Sequence, residues 1–272
     1  MDEAWVMRFL TFHGYLGEEG SLDDALRDFQ ATHDAPVTAR LNYQTRRLMH
    51  AYRCPLPDRA TAAASAATAP HRAPDGVLVL ASRGPTVEPE IHVDISSPPD
   101  AYCRIPARWR ALTLGYSLVG ACPAGLGDAG WSAIRSAFAT WTASTTVELE
   151  ERAESYGAEL RALWTPGRAA DPASLDPFHG PGGRVAIGYY PYPFLGGLAG
   201  DLHFDTSETW TTRGDGSGLD VETVALHEIG HCLGLGHSRD PASIMYSIYK
   251  NRQRELDAAD CAEFARHYAG VV

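Results

Sequence analysis

The segment that most constrains how this chain can fold lies near its C-terminal end and reads HEIGHCLGLGHS. His227 and His231 are four residues apart, so on an α-helix both imidazoles lie on one face, where they can bind the same metal ion. A left-handed turn at Gly234 ends such a helix and returns His237 to that ion. Three neutral imidazoles leave a fourth coordination position for water, which is typical of a catalytic zinc site rather than a structural one.

Glu228 directly follows the first of these histidines, so its side chain projects beside the ion rather than onto it. A carboxylate there suits a general base that takes a proton from a metal-activated water. The helix is predicted to begin at Asp220, a good N-cap, and to bury Val221, Val224 and Ala225. The alternative is an ordinary core helix with buried histidines, but it requires neither this spacing nor the adjacent glutamate.

The pattern H-E-x-x-H-x-x-G-x-x-H resembles the metzincin zinc peptidases, and Ser238 after the third histidine resembles the matrixin branch, the matrix-metalloproteinase-like peptidases. Ser243–Tyr246 resembles the family's Met-turn, which implies that Met245 packs beneath the metal site. The resemblance implies a metalloendopeptidase that hydrolyses protein or peptide substrates with a zinc-bound water assisted by Glu228. It also implies that Tyr249 lines the pocket that binds a substrate side chain.

The expected fold class is α+β. The resemblance implies a small three-helix propeptide bundle, followed by a metzincin catalytic domain with a twisted, mostly parallel sheet, an active-site helix and a C-terminal helix. Strands are predicted at Leu112–Tyr116, Val147–Leu149, Ala158–Trp164, Val185–Tyr190 and Asp201–Asp205, and helices at Asp128–Thr142 and Asp257–Tyr268. The strand that contains Ala186 is expected at a sheet edge, where an extended substrate binds by backbone pairing.

The first fifth of the chain is predicted to be helical, with one helix ended by Gly14, a second that starts at Ser21 and a third capped by Asn42. This unit resembles the peptidoglycan-binding-like bundle that forms the matrixin propeptide. Such a bundle also occurs as a carbohydrate-binding module. The alternative function is therefore a non-catalytic carbohydrate- or peptidoglycan-binding protein with a degenerate peptidase domain, which the retention of Glu228 disfavours.

The segment RCPLPD at residues 53–58 resembles the cysteine switch of the family, whose usual form is R-C-G-x-P-D. A thiolate is a good zinc ligand, so the resemblance implies that Cys54 occupies the fourth position in a latent form, while Arg53 and Asp58 pair across the loop. Pro55 replaces the usual glycine, removes an N–H and fixes φ, which predicts an altered loop and weaker latency. The alternative is a surface cysteine in a proline-rich turn.

Three parts follow from these resemblances: residues 1–58 as the propeptide with its switch, 59–103 as linker and extension, and 104–272 as the catalytic domain. Residues 59–76 are rich in Ala, Thr and Pro and show no periodicity, which predicts a flexible linker. Flexible linkers are preferred sites of proteolysis, so we expect the propeptide to be released there.

The resemblance also implies calcium ions. Asp205 and Glu208 match carboxylate ligands of one calcium site, and Asp201 is a candidate for a second, with Glu159 in place of an aspartate. His179 replaces another aspartate in the calcium loop of the family, and because calcium prefers hard oxygen ligands, a weakened site is expected. The alternative is that these acidic side chains are solvated loop residues.

A second, structural zinc is usual in matrixins, but few of its ligands are present in this chain. His203 matches one ligand and Asp171 a second, whereas the other two positions are Ala169 and Ile187. Two ligands rarely hold zinc, so this site is predicted to be absent or rebuilt with His179.

The chain contains five cysteines, an odd number that excludes complete pairing. Cys54 lies apart from the others, in the switch segment. The remaining four are expected to form two disulfides, Cys103 with Cys122 and Cys232 with Cys261. The alternative is that all four are buried free thiols, as in a reducing compartment.

The formal net charge is -11, which disfavours nucleic acid and anionic membranes as partners. No apolar run approaches the roughly 18 residues that span a bilayer. The first residues show no secretory signal, whereas the family resemblance implies an extracellular location. We expect a monomer.

Overall fold

The structure, a computed structural model, describes residues 3–17, 20–33, 35–49, 58, 102–104, 107–166, 178, 181, 185–192 and 197–271. Three sets of predictions therefore lie outside the described residues: the switch residues 53–57, the linker, and positions 169, 171 and 179 of the second zinc site.

Three helices form the N-terminal unit: α1 (Glu3–Phe12), α2 (Leu22–Thr32) and α3 (Tyr43–Met49). Side-chain caps fix where two of them begin, because Ser21 Oγ accepts a hydrogen bond from Asp24 N at 3.1 Å and Asn42 Oδ1 accepts one from Thr45 N at 2.9 Å. The helices share a small apolar core made by Val6, Leu10, Tyr15, Leu16, Ala25, Leu26, Phe29 and Met49.

A five-stranded sheet forms the centre of the larger unit, in the order β3-β2-β4-β6-β5. Its strands are β2 (Thr113–Val119), β3 (Glu148–Glu151), β4 (Leu160–Thr165), β5 (Ala186–Gly188) and β6 (Asp201–Asp205). Pairing is parallel except between β5 and β6, which run antiparallel. The sheet is therefore mostly parallel, as predicted, and β5 lies at its edge.

Three helices accompany the sheet: α4 (Asp128–Ser144), α5 (Val221–Cys232) and α6 (Ala258–His267). Trp141 of α4 is fully buried, and its indole Nε1 donates a hydrogen bond to Leu226 O of α5 at 2.9 Å, which ties the two helices together. None of the helices in the described part of the chain is long and apolar enough to cross a bilayer.

Two pairs of short strands complete the fold. β1 (Tyr102–Arg104) pairs antiparallel with β9 (Leu235–Ser238), and β7 (Trp210–Thr211) pairs parallel with β8 (Leu219–Asp220). β8 ends directly before α5 begins, and β9 begins at Leu235, shortly after α5 ends. The short strands thus hold both ends of α5.

The two expected disulfides are wrong, because Cys122, Cys232 and Cys261 are free thiols. Cys232 lies fully buried beneath the sheet, where its Sγ donates to Asp201 O at 3.4 Å, rather than toward α6. Burial raises the pKa of Cys232 well above its usual value and that of Cys122 to about 11. Neither Cys103–Cys122 nor Cys232–Cys261 is a bridge, and the alternative of free thiols holds for these three cysteines.

Candidate metal centre

The helix that carries the candidate site begins at a strong cap. Asp220 Oδ2 accepts hydrogen bonds from Thr223 N at 3.1 Å and Thr223 Oγ1 at 2.7 Å, and the carboxylate pairs with Arg254 at 2.5 Å. Burial alone would raise the pKa of Asp220, but the hydrogen bonds from Arg254 and Thr223 outweigh it and hold the pKa below its usual value. The cap is thus charged and fixes the start of α5, as predicted.

The three predicted histidines come together in space. Their candidate ligand atoms all lie within 4.8 Å of one another, and all three side chains are buried. His227 and His231 lie on α5, whereas His237 lies on β9. The chain turns between them at Gly234, whose φ is 90° and whose Cα lies so close to Ala107 O that a Cβ would approach it to 2.2 Å.

The hydrogen bonds of the first two histidines determine which nitrogen faces the site. Nδ1 of His227 contacts Ile244 O at 2.7 Å, and Nδ1 of His231 contacts Leu235 O at 2.8 Å. Since a carbonyl oxygen only accepts, both Nδ1 atoms carry the proton and both Nε2 atoms present lone pairs. Those two Nε2 atoms lie 3.0 Å apart, an arrangement that is repulsive unless a cation lies beside both.

Electrostatics keeps these imidazoles neutral. Burial, reinforced by neighbouring His237, lowers the pKa of His227 to about 3, and burial likewise lowers the pKa of His231 far below its usual value. Neutral imidazoles with converging lone pairs are the form that binds zinc. The residues present therefore fit a zinc ion.

The third histidine, His237, differs from the other two in the group that lies next to its Nδ1 atom. His237 Nδ1 lies 3.5 Å from a carboxylate oxygen of Asp58, which precedes the whole larger unit in sequence. The predicted pairing of Asp58 with Arg53 stays a prediction, because Arg53 lies outside the described residues.

Glu228 is 1% exposed and lies between the helix and the edge strand. Its Oε2 accepts a hydrogen bond from Gly188 N at 2.6 Å. A Cβ on Gly188 would come 2.2 Å from Glu228 O, so only glycine lets β5 approach α5 this closely. The carboxylate is thus held beside the histidines by a backbone donor.

The Met-turn is fixed by an acidic residue of α6. Asp260 accepts hydrogen bonds from Ser243 Oγ at 2.5 Å and Ile244 N at 3.0 Å. Met245 is fully buried, and its sulfur lies against α5 at Gly230. Because Ile244 O is the acceptor for His227, the turn also orients that histidine.

A cavity opens beside His227 and Glu228, and Tyr249 is among its lining residues. Tyr249 Oη accepts a hydrogen bond from Asp220 N at 2.9 Å, which fixes the phenol ring at the start of α5. Val224 and Ile244 also line the cavity. The lining is therefore largely apolar and suits a substrate side chain.

The edge strand presents its backbone to the same region. Val185 O and Tyr189 N bond to β6 at 2.9 and 2.8 Å. Because backbone groups alternate in direction along a strand, the N–H and C=O groups of Ala186 and Gly188 point away from β6. The N–H of Gly188 points toward Glu228 and donates to its carboxylate. Ala186 thus presents backbone groups to the cleft, while its side chain is buried.

The residues proposed for secondary metal sites have protein partners. Asp201 forms a two-point pair with Arg161, at 2.8 and 2.6 Å, and lies 3.5 Å from His203 Nε2. Asp205 Oδ1 accepts hydrogen bonds from the backbone and hydroxyl of Ser207 at 2.8 and 2.7 Å. The arginine already neutralises Asp201, which argues against a calcium ion there.

Several residues that shape the site could not be recognised from the sequence. Gly188, Arg254 and Asp260 act through partners distant in sequence, and no local pattern marks them. His13 and His33 both lie near Asp58. Each directly follows the end of a helix, α1 or α2, and a single histidine at such a place does not indicate a function.

A mixed α/β domain with two histidines and a glutamate on one helix, and a third histidine just beyond it, defines the metzincin class. The sequence model of the matrixins, Peptidase M10, matches residues 108–269, which is more than half of the chain. The chain belongs to the matrixin family.

Several curated proteins are similar in sequence. Karilysin of Tannerella forsythia is 37% identical over 155 residues, covering 57% of this chain and 32% of that protein. Metalloendoproteinase 1 of Glycine max is 35% identical over 158 residues, covering 56% of this chain and 49% of that protein. Human matrix metalloproteinase-15 is 28% identical over 270 residues, covering 91% of this chain and 35% of that protein. The chain spans only a third to a half of these relatives.

Proposed function

We propose that this chain is a zinc-dependent metalloendopeptidase that hydrolyses peptide bonds of extended protein substrates. The observation that carries the proposal is that the unprotonated Nε2 atoms of His227 and His231 lie 3.0 Å apart. His237 lies beside them, and Glu228 directly follows His227 in the chain. Membership of the matrixin family supports it. We propose His227, His231 and His237 as the zinc ligands.

Zinc at this position would activate a water molecule and polarise the scissile carbonyl. Glu228 would accept a proton from that water as its oxygen bonds to the carbonyl carbon, and would pass the proton to the amine nitrogen as the C–N bond breaks. The hydrogen bond from Gly188 N holds one carboxylate oxygen of Glu228. The other oxygen would therefore be the one that accepts the proton from the water and passes it to the amine.

Substrate binding would use the edge strand and the cavity. An extended peptide would pair with the backbone of Ala186, which points away from β6, and would place a side chain in the cavity beside Tyr249. The mostly apolar lining of that cavity supports an apolar side chain.

Residues 1–58 would keep the enzyme latent, with Cys54 as the fourth zinc ligand, and residues 104–272 would form the catalytic domain. The alignment with human matrix metalloproteinase-15 covers 91% of this chain and therefore includes much of the N-terminal unit. That unit also contacts the candidate zinc site through Asp58. Release of this unit would then activate the enzyme, and membership of the matrixin family supports an extracellular location. Asp205 and Glu208 remain proposed calcium ligands.

Cleavage of a quenched peptide tests the activity. The intact chain is expected to show little cleavage. The Cys54→Ser variant is expected to cleave the peptide, because the serine hydroxyl is a poor zinc ligand. In the Cys54→Ser background, Glu228→Gln is expected to lower kcat/KM by about a hundredfold or more, since a positioned general base contributes that much. A zinc chelator should abolish cleavage.

Glu222→Gln is the matched control, because Glu222 lies on the same helix but contacts Arg254 at 3.0 Å instead of the site. It should cleave nearly as fast as its parent. Equal losses in Glu222→Gln and Glu228→Gln would show that the helix, not the base, was damaged. A Cys54→Ser protein that binds one zinc ion but cleaves nothing, even after limited proteolysis in residues 59–76 has released the N-terminal unit, would refute the peptidase assignment.

A further inference from the structure

Asp58 is a buried carboxylate at the contact between the N-terminal unit and the metal centre. It is 6% exposed. Tyr15 Oη donates a hydrogen bond to its Oδ2 at 2.8 Å, and His33 Nε2 lies 3.3 Å from the same oxygen. Its other oxygen lies 3.5 Å from Nδ1 of both His13 and His237. Residues of the N-terminal unit thus hold this carboxylate against the third histidine of the site.

A second contact fixes the same unit to the Met-turn. His33 Nδ1 lies 2.7 Å from Tyr246 Oη, between residues 213 positions apart, and the two rings meet edge to face with centroids 5.5 Å apart. Tyr246 directly follows Met245, beneath the three histidines. His33 therefore contacts the Met-turn through one nitrogen and Asp58 through the other.

The three histidines are oriented by different parts of the chain. Carbonyl oxygens of the larger unit, Ile244 O and Leu235 O, accept from His227 and His231. Nδ1 of His237 instead faces the Asp58 carboxylate of the N-terminal unit, at 3.5 Å. A carboxylate on the far nitrogen of a zinc-binding histidine fixes its tautomer and raises its basicity.

We propose that Asp58 is a positioning residue for zinc, so that the N-terminal unit strengthens metal binding directly through His237 as well as covering the site. This inference rests on the proposed zinc peptidase function and deepens it. Zinc binding and docking of the N-terminal unit then reinforce each other, because a coupling between two equilibria is reciprocal. The effect does not require the Cys54 thiol.

Zinc affinity, measured by competition with a chromogenic chelator, tests the proposal. All proteins carry Cys54→Ser, so that the thiol contributes nothing. Asp58→Ala is expected to raise the Kd for zinc by about tenfold or more, the usual effect of removing such a carboxylate, and Asp58→Asn by less. Asp24→Asn is the matched control, an exposed aspartate of α2, and should leave the Kd unchanged.

Tyr246→Phe tests whether the effect depends on docking of the N-terminal unit. It removes the hydroxyl that contacts His33 but keeps the aromatic ring and the Asp58 carboxylate. It should weaken docking and, with it, zinc binding. Hydrogen exchange of α2 should slow when zinc is added to the parent but not to Asp58→Ala. The melting temperature of the metal-free proteins reports any general loss of stability.

Equal zinc affinity in Asp58→Ala and in the parent would overturn the positioning role and leave the proposed function intact. The same holds if Asp24→Asn weakens zinc as much as Asp58→Ala does. If the parent binds no zinc at all, the proposed metal site itself is wrong and this inference falls with it.

Discussion

At the scale of single residues, Gly188 controls how closely the edge strand approaches the helix that bears the histidines. We predict that Gly188→Ala lowers kcat/KM of the Cys54→Ser protein by about tenfold to a hundredfold, because a small displacement of a catalytic group has effects of that size. The added methyl group would meet Glu228 O at 2.2 Å and push away the N–H that holds the Glu228 carboxylate.

Gly197→Ala is the control for this prediction, since a Cβ there meets only the tip of Arg161, at 3.9 Å. Steady-state peptide cleavage and zinc stoichiometry should be measured on both variants. If Gly188→Ala cleaves as fast as Gly197→Ala, then Glu228 does not depend on the strand for its position.

The residues that sequence analysis found share a local spacing. His227, Glu228 and His231 lie on adjacent turns of one helix, and Gly234 with His237 follows at once, so one short segment contained almost the whole site. Gly188 was assigned no role and Asp58 only a pairing with Arg53, because their contacts with Glu228 and His237 are set by strand packing and docking. Their roles depend on distances between elements, which no period in the sequence encodes.

At the scale of elements, the start of α5 depends on a charged cap. We predict that Asp220→Ala lowers the free energy of unfolding by about 2 kcal/mol or more, because it removes an N-cap and a buried carboxylate that pairs with Arg254, which keeps its ion pair with Glu222. Asp220→Asn keeps a capping oxygen but loses the charge, so its free energy of unfolding should lie between those of the parent and Asp220→Ala. Urea unfolding measures both changes.

The pH dependence of this effect has a definite sign. The folded pKa of Asp220 lies below its usual value, so the ion pair stabilises the protein at pH values above about 4, near the unfolded pKa, and is lost as the pH falls through the folded pKa. The gap between the parent and Asp220→Asn should therefore shrink only below about pH 4. Asp215→Asn, in an exposed pair with Arg213, should change stability little at any pH.

Helix starts could be predicted because their chemistry is local. Ser21, Asp220 and Asp257 each cap the helix that the sequence assigned to them. Strand ends were predicted less well. β2 runs on to Val119 because that residue pairs with Leu163 of β4, and β5 is shorter than the predicted Val185–Tyr190. The partner strand sets these limits, and it is distant in sequence.

At the scale of the whole molecule, the N-terminal unit and the metal centre meet through contacts between residues that no sequence pattern connects. His33 and Tyr246 are 213 residues apart. In the sequence, only the resemblance of residues 53–58 to a cysteine switch predicts this contact, and it pairs Asp58 with Arg53. The contact between Asp58 and His237 follows from docking, so it required the structure.

The proposed latent state makes a prediction about protons. Burial lowers the pKa of His227 to about 3 and that of His231 far below its usual value, so neither of these two imidazoles is an imidazolium from which metal binding would displace a proton. A cysteine thiol has an ordinary pKa near 8.5 and must lose its proton to bind zinc. At pH 6, zinc binding to the intact protein should therefore release about one proton more than binding to Cys54→Ser. Calorimetric titration in two buffers with different ionisation enthalpies counts these protons. Equal release from both proteins would mean that Cys54 does not bind the metal, and that latency, where it is observed, comes from the docked N-terminal unit alone.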